Sequence, residues 1–154
     1  MRTAVVTILI SLLALPVCEG KQRHCTLRVH TEANENDGAV FASKILTQSG
    51  RTAFIQKIPA ISENDVIGVA VYSAADGTRG ALLELNDHGR LALDTLSIER
   101  RGTWLFIFVN GRPIAELQID WRVSDGKIYI ASGLTSNDIA LMRKDWPVLP
   151  KRKK

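Results

Sequence analysis

The side chains that could act as a nucleophile and its base are Cys25 and the histidines His24, His30 and His88. A Cys–His hydrolase would need Cys25 beside an oxyanion hole, with a base that His88 could supply from the start of a helix. No sequence typical of a cysteine hydrolase family surrounds Cys25, and the chain has no Gly-x-Ser-x-Gly elbow. A small extracytoplasmic hydrolase using Cys25 and His88 is kept as the alternative to a non-enzymatic function.

The same residues could be considered as metal ligands, because His24, Cys25 and His30 are close in sequence. Adjacent residues of a strand point to opposite faces, however, and no second Cys/His pair is spaced to complete a tetrahedron. We therefore expect no metal site and no cofactor. Cys25 is expected to be a small buried residue of a first strand, and after loss of a leader it would have no second cysteine for an internal disulfide.

Three tryptophans are the residues best able to anchor a binding surface, since aromatic side chains dominate interface energetics. Trp104 opens an apolar run and is expected in the core. Trp121 lies between Asp120 and Arg122, and Trp146 lies near a proline-rich exit, so both are predicted to be exposed binding residues. The edge of an antiparallel sheet could also accept an extended peptide by strand addition, a mode that leaves no sequence motif.

Positive charge is concentrated at the C-terminus. The formal charge of +4 equals the charge of one basic segment, Lys151, Arg152, Lys153 and Lys154. The remaining chain is close to neutral and offers no basic face for nucleic acid. We expect residues 148–154 to form a flexible tail, and the tail gives a further alternative, a protein held on an anionic surface.

Residues 1–20 resemble a secretory signal peptide. Arg2 supplies the positive start, and Ala4 to Leu15 form an apolar run that ends before Pro16. This run is short for a membrane-spanning helix, which needs about 20 apolar residues. We expect cleavage after Gly20 and a periplasmic or secreted mature chain, with an uncleaved membrane anchor as the alternative.

Alternating apolar residues and turn residues predict several strands before the first long helix. The predicted strands are Cys25–His30, Ala39–Leu46, Thr52–Ile58, Val66–Ser73 and Gly80–Leu85. Ser62 and Asp65 predict a short capped turn before the fourth of these strands. The last two strands flank Ala75-Asp76-Gly77 and are expected to form a hairpin.

One long helix is predicted over residues 87–101. Asn86 is a favourable N-cap, Asp87 suits the positive end of the helix, and Gly102 is a typical stop. Apolar residues at spacings of three and four predict one buried stripe that would pack on a sheet. A short C-terminal helix through Met142 is predicted from its cap residue Thr135.

Trp104 to Val109 is almost continuously apolar, which predicts a central strand covered on both faces or a very well buried strand. Asn110-Gly111 follows as a strong hairpin turn, and Asp125-Gly126 leads into another strand over Lys127 to Ser132. These elements predict one α+β domain over residues 21–147, with a mainly antiparallel sheet covered by the long helix and with the short C-terminal helix.

The order of caps and turns from Lys57 to Met142 resembles the head subdomain of the first large periplasmic domain of SecD, a subunit of the SecDF protein-export complex. The matching positions include Leu83-Glu84-Leu85-Asn86, Gly89, Thr95, Gly102, Leu105 to Val109, Asn110-Gly111-Arg112, Ile114, Ile130 and Gly133-Leu134-Thr135. Pro59 with Ser62 to Val66 matches the entry segment. These are structural positions, so the resemblance implies a fold rather than a catalytic site.

The chain also departs from the SecD pattern. Ala115-Glu116 stands where a Ser/Ala-Pro pair is common, and residues 21–154 contain no transmembrane helix. Proton-driven transport in SecDF depends on membrane segments. The resemblance therefore implies an exported, non-enzymatic interaction module that contacts polypeptides or envelope proteins, without the pump.

Overall fold

The computed structural model describes residues 23–150. In this range the chain forms nine strands, two α-helices and the short 3-10 turns Glu35–Asp37 and Glu63–Asp65. The elements are β1 (Leu27–Thr31), β2 (Ala42–Leu46), β3 (Thr52–Gln56), β4 (Ile61–Ser62), β5 (Val66–Ser73), β6 (Arg79–Leu85), α1 (Asp87–Glu99), β7 (Trp104–Val109), β8 (Arg112–Gln118), β9 (Lys127–Leu134) and α2 (Ser136–Asp145). The predicted leader, residues 1–20, and the basic residues Lys151, Arg152, Lys153 and Lys154 lie outside the described residues.

The described strands form three antiparallel sheets. Four strands pair in the order β4-β1-β7-β8, three in the order β5-β6-β9, and β2 pairs with β3 as a hairpin. This arrangement confirms the predicted α+β class. The predicted single sheet covered by one long helix is not confirmed, because the strands form three sheets and both α1 and α2 place residues in the main core. Helix α1 ends at Glu99, two residues before the predicted end.

Strand β7 shows why the chain separates into these layers. Its side chains alternate between two faces, and Ile107 and Val109 are fully buried in the main core. Phe106 points the other way and packs with Ala53 and Ile55 of the β2–β3 hairpin in a second apolar cluster. The sequence-based prediction that β7 is covered on both faces is confirmed.

Polar side chains define the ends of the helices, as expected from the cap residues. The Gly89 amide donates to Asn86 Oδ1 over 2.9 Å at the start of α1. At the start of α2 the Asp138 amide donates to Thr135 Oγ1 over 3.2 Å. These bonds satisfy amides that the first helical turn cannot pair internally.

The predicted turn between β7 and β8 is also present. Asn110 and Gly111 have φ angles of 50° and 78°, the left-handed conformations that a two-residue type I′ turn requires. The Asn110 side chain is used as well, since the Thr26 amide donates to its Oδ1 over 3.0 Å. The turn is therefore attached to the start of β1.

The beginning of the described chain is attached to the end of α2. The Cys25 amide donates to Asp145 Oδ2 over 2.6 Å, and Lys144 Nζ donates to the Arg23 carbonyl over 3.2 Å. These contacts hold the residues before β1 against the last turn of α2.

After α2 the chain pairs with the outer edge of β5. The Val69 amide donates to the Pro147 carbonyl and the Leu149 amide donates to the Val69 carbonyl, both over 2.9 Å. Val148 and Val69 thus form a parallel bridge. Residues 148 and 149, which the sequence assigns to the tail, take part in backbone pairing.

Close contact between β5, β6 and β9 leaves no room for a side chain at Gly80. A Cβ there would overlap the Tyr72 ring and lie 2.5 Å from the Ala131 carbonyl oxygen. We expect Gly80→Ala to lower the free energy of unfolding by about 1–3 kcal/mol, the usual cost of overpacking. Denaturant titration measures this, with Ser73→Ala on the same hairpin as the control. Unchanged stability of Gly80→Ala would contradict the close packing.

Candidate binding cleft beside Trp121

An apolar cleft of about 270 Å³ lies between α1, the ends of β7 and β8, and β9. Buried aliphatic residues line it, among them Leu93, Leu105, Ile119 and Ile128. Trp121 and Tyr129 also line the cleft and are 70% and 56% exposed. We call this site the Trp121 cleft. Its combination of an apolar lining and exposed aromatic side chains is typical of sites that bind apolar groups.

The segment that carries Trp121 is bonded to Thr103, just before β7, and to the turn after α1. The Ile119 amide donates to the Thr103 carbonyl over 2.9 Å, and the Gly102 amide donates to the Ile119 carbonyl over 2.8 Å. Arg101 Nε donates to the Asp120 carbonyl over 2.7 Å. These bonds fix the backbone immediately before Trp121.

The residues after Trp121 are bonded to α1. Arg122 donates to both carboxylate oxygens of Asp94, over 2.6 and 2.8 Å, and the Val123 amide donates to Ser97 Oγ over 2.9 Å. The hydrogen bonds and positive charge of Arg122 hold the pKa of Asp94 below its ordinary value. Trp121 is thus an exposed ring on a loop held at both ends.

Tyr129 lines the cleft but is missing from the binding residues predicted from the sequence. It stacks on Tyr72, with ring centroids 5.2 Å apart and planes at 9°. The Tyr72 hydroxyl donates to the Ile130 carbonyl. The alternation of β9, in which Ile128 and Ile130 are buried, could have placed Tyr129 on the outer face.

The predicted exposure of Trp146 is wrong. Trp146 is 6% exposed and packs in the main core with Met142. Its amide donates to the Met142 carbonyl over 2.8 Å, which continues the backbone pairing of α2. Trp146 is therefore a core residue, whereas the exposure predicted for Trp121 is confirmed.

The proposed pair of Cys25 and His88 has no support in the geometry. The Cys25 side chain is 2% exposed, and burial, followed by the charges of Asp138, Asp145 and Glu63, raises the pKa of its thiol to about 12. A nucleophile needs the opposite shift. His88 Nδ1 is hydrogen-bonded to Asp65 Oδ1 over 2.7 Å, and Cys25 and His88 share no hydrogen bond.

Possible metal ligands are dispersed. In residues 23–150 no three His, Cys, Asp or Glu side chains are grouped to hold a metal ion. Along the same part of the chain, no helix is both long enough and apolar enough to cross a membrane.

Solved structures with a similar fold are known. No family model matches the chain, and no curated protein is significantly similar to it. A solved structure of SecDF, a membrane component that enhances protein export, is similar with a TM-score of 0.54 and 15% identity, over 80% of this chain and 64% of that chain. The fold is SecD-like. A structure of SecDF in its super-membrane-facing form gives a TM-score of 0.55 and 14% identity, over 80% of this chain and 19% of that chain.

The SecD-like fold confirms the resemblance predicted from the caps and turns. Gly102 and Gly133 have φ angles of 86° and 89°, and Asn86, Gly89, Asn110, Gly111 and Thr135 lie at caps or turns. The chain spans less than two thirds of the SecDF chains it matches. At this identity the similarity concerns the fold.

Proposed function

We propose that this SecD-like domain acts outside the cytoplasm as a non-enzymatic module that binds extended polypeptide segments, including those of envelope proteins, in the Trp121 cleft. The observation that carries the proposal is the 70% exposed indole of Trp121 beside an apolar cleft. Large apolar side chains normally lose water on folding. An exposed indole on a fixed loop can instead lose its contact with water when a ligand binds.

The chemistry of the cleft favours a polypeptide ligand. Leu93, Leu105 and Ile128 provide apolar contacts for a ligand side chain, while Gln118 and Lys127 at the cleft supply polar groups for a ligand backbone. Because the loop is bonded to α1 through Arg122 and Ser97, little conformational entropy is lost when Trp121 is covered. A fixed aromatic residue beside an apolar cleft binds many sequences with modest affinity.

A non-enzymatic role agrees with the state of Cys25. Its thiol is buried and its pKa is raised, so it remains protonated at neutral pH. An extracytoplasmic location agrees with the SecD-like fold and with the predicted leader.

Replacing Trp121 by alanine is expected to weaken polypeptide binding about 30-fold, since loss of a tryptophan hot spot costs about 2 kcal/mol or more. Fluorescence anisotropy with a fluorescein-labelled dodecapeptide of alternating Leu and Ser measures the affinity.

Leu46→Ala is the matched control for this experiment. Leu46 is 68% exposed on β2, so it has nearly the same exposed fraction as Trp121, but it lies on the β2–β3 hairpin and does not line the cleft. We expect its affinity to equal that of the unaltered chain. Equal affinities for the Trp121 and Leu46 variants would show that the cleft does not bind the peptide.

A further inference from the structure

The outer edge of β5 is only partly paired. Pro147 and Leu149 occupy the amide and carbonyl of Val69. Outward-facing backbone groups recur at every second residue of an edge strand, so Val71 and Ser73 are next. Within residues 23–150, the backbone amide and carbonyl of Val71 have no hydrogen-bond partner on this edge. Among the described residues, a short stretch of the β5 edge beyond Leu149 is therefore unpaired.

A cleft of about 240 Å³ runs beside this open edge. We call it the β5 edge cleft, and Val71, Arg79, Ser136, Ile139, Ala140 and Arg143 line it. Val71 of β5 and Arg79 of β6 supply one wall, and α2 supplies the other. A segment that pairs with Val71 could place one of its alternate side chains in this cleft, and strand addition commonly combines a sheet edge with such a side-chain pocket.

The charged groups of the β5 edge cleft are both positive. Arg79 Nη1 donates to Ser73 Oγ over 3.0 Å, and in the part of the chain that the structure describes neither Arg79 nor Arg143 forms an ion pair. The carboxylate of Asp138 on the same helix is paired with Arg112. The positive charge of the cleft is thus available to a ligand.

We propose that the β5 edge cleft binds an extended, acidic segment of another polypeptide, which adds to β5 as a short parallel or antiparallel strand. Val71 would exchange backbone hydrogen bonds with the segment, and Arg79 and Arg143 would pair with its carboxylates. This surface is separate from the Trp121 cleft, so its failure would leave the function proposed for that cleft standing.

Two observations favour this occupant. The pairing of Pro147 and Leu149 with Val69 demonstrates that the same edge accepts an extended segment. The chain's own continuation, Lys151-Arg152-Lys153-Lys154, carries four positive charges, and these would repel Arg79 and Arg143. Charge complementarity therefore selects an acidic segment from elsewhere.

The test uses the full chain and two labelled heptapeptides, one of alternating Val and Glu and one of alternating Val and Lys, in a buffer of low ionic strength. We expect the Glu peptide to bind at least tenfold more tightly than the Lys peptide. The variant Arg79→Glu/Arg143→Glu is expected to weaken binding of the Glu peptide about tenfold and to reverse the preference. The variant Lys44→Glu/Arg100→Glu makes the same change in net charge on other elements and should keep the preference.

A second variant tests the backbone contact separately from charge. Val71→Pro removes the outward amide of an edge position together with the valine side chain, and Val71→Ala, which keeps the amide, is its control. We expect Val71→Pro to bind the Glu peptide about fivefold more weakly than Val71→Ala does. Equal binding of both peptides would overturn the proposal, as would an unchanged affinity of the Arg79→Glu/Arg143→Glu variant. If deletion of residues 151–154 raised the affinity for the Glu peptide several-fold, the tail would be the occupant of the cleft. If the chain dimerised and Val71→Pro abolished the dimer, a second copy would be the occupant. Either result would overturn the proposal.

Discussion

Replacing Trp146 by alanine is expected to lower the free energy of unfolding by about 3–5 kcal/mol, the range for removal of a large aromatic side chain from a core. Trp146 is 6% exposed, and it belongs to the main core with Met142 and Ile139. It also lies directly between α2 and the residues that pair with Val69. The cavity would therefore loosen the helix and the pairing after it. Guanidinium titration followed by circular dichroism measures the loss.

Trp121→Ala is the control for this experiment, because the same side chain is removed from an exposed position. Its free energy of unfolding is expected to stay within about 0.5 kcal/mol of the unaltered chain. Trp146→Ala should thus lower the stability of the fold, whereas Trp121→Ala should weaken peptide binding and leave stability almost unchanged. Equal losses of stability would contradict the assignment of Trp146 to the core and Trp121 to the surface.

Removal of the Asp138 carboxylate is expected to cost about 2–3 kcal/mol of stability, since three partners would lose one buried acceptor and α2 would lose part of its N-terminal cap. The side chain is fully buried, with 2% of the residue exposed. Asn110 Nδ2 donates to it over 2.7 Å, the Thr135 amide donates over 2.8 Å, and Arg112 forms an ion pair with it. Asp138 therefore joins the start of α2 to the β7–β8 turn. Thermal unfolding of Asp138→Ala measures the cost.

The same carboxylate should make stability depend on pH. Burial alone would raise the pKa of Asp138, but the hydrogen bonds from Thr135 and Asn110 and the charge of Arg112 outweigh burial and hold that pKa below its ordinary value. A lowered pKa in the folded state contributes stability above the unfolded pKa of about 4, and this contribution is lost as the pH falls through the folded pKa. As the pH falls below about 4, the free energy of unfolding of Asp138→Ala should therefore decrease less than that of the unaltered chain does.

Asp87→Ala is the control for both measurements, because the Asp87 side chain is 97% exposed. We expect its stability to stay within about 0.5 kcal/mol of that of the unaltered chain, since Asp87 makes only an exposed pair with Arg90, and we expect the same pH dependence. A pH dependence of Asp138→Ala identical to that of the unaltered chain would contradict the role assigned to the buried carboxylate.

The parts of the fold that could be predicted are those with local causes. Asn86, Thr135 and Asn110-Gly111 act on amides or dihedral angles within three residues, so each is visible in a short window of sequence. The continuous apolar run of β7 predicts a strand covered on both faces for the same reason. Trp121 could be assigned to the surface from its charged neighbours, Asp120 and Arg122.

The remaining features depend on contacts between distant residues. Trp146 is buried because α2 packs on the core and the chain after it pairs with Val69, and neither fact can be derived from the adjacent prolines. The pair of Arg122 with Asp94 joins a loop to a helix 28 residues away. Tyr129 belongs to the candidate site because β9 pairs with β6, which places Tyr129 near Tyr72.

The attachment of the first described residues to α2 affects how such a domain can be connected within a longer polypeptide. Arg23 and Cys25 contact Lys144 and Asp145 through hydrogen bonds of 3.2 and 2.6 Å, so the start of the fold and its last helix are neighbours in space. A domain with adjacent ends can be placed inside a longer polypeptide with two short connections and little disturbance of its host. The arrangement suits a SecD-like unit to stand within a larger protein.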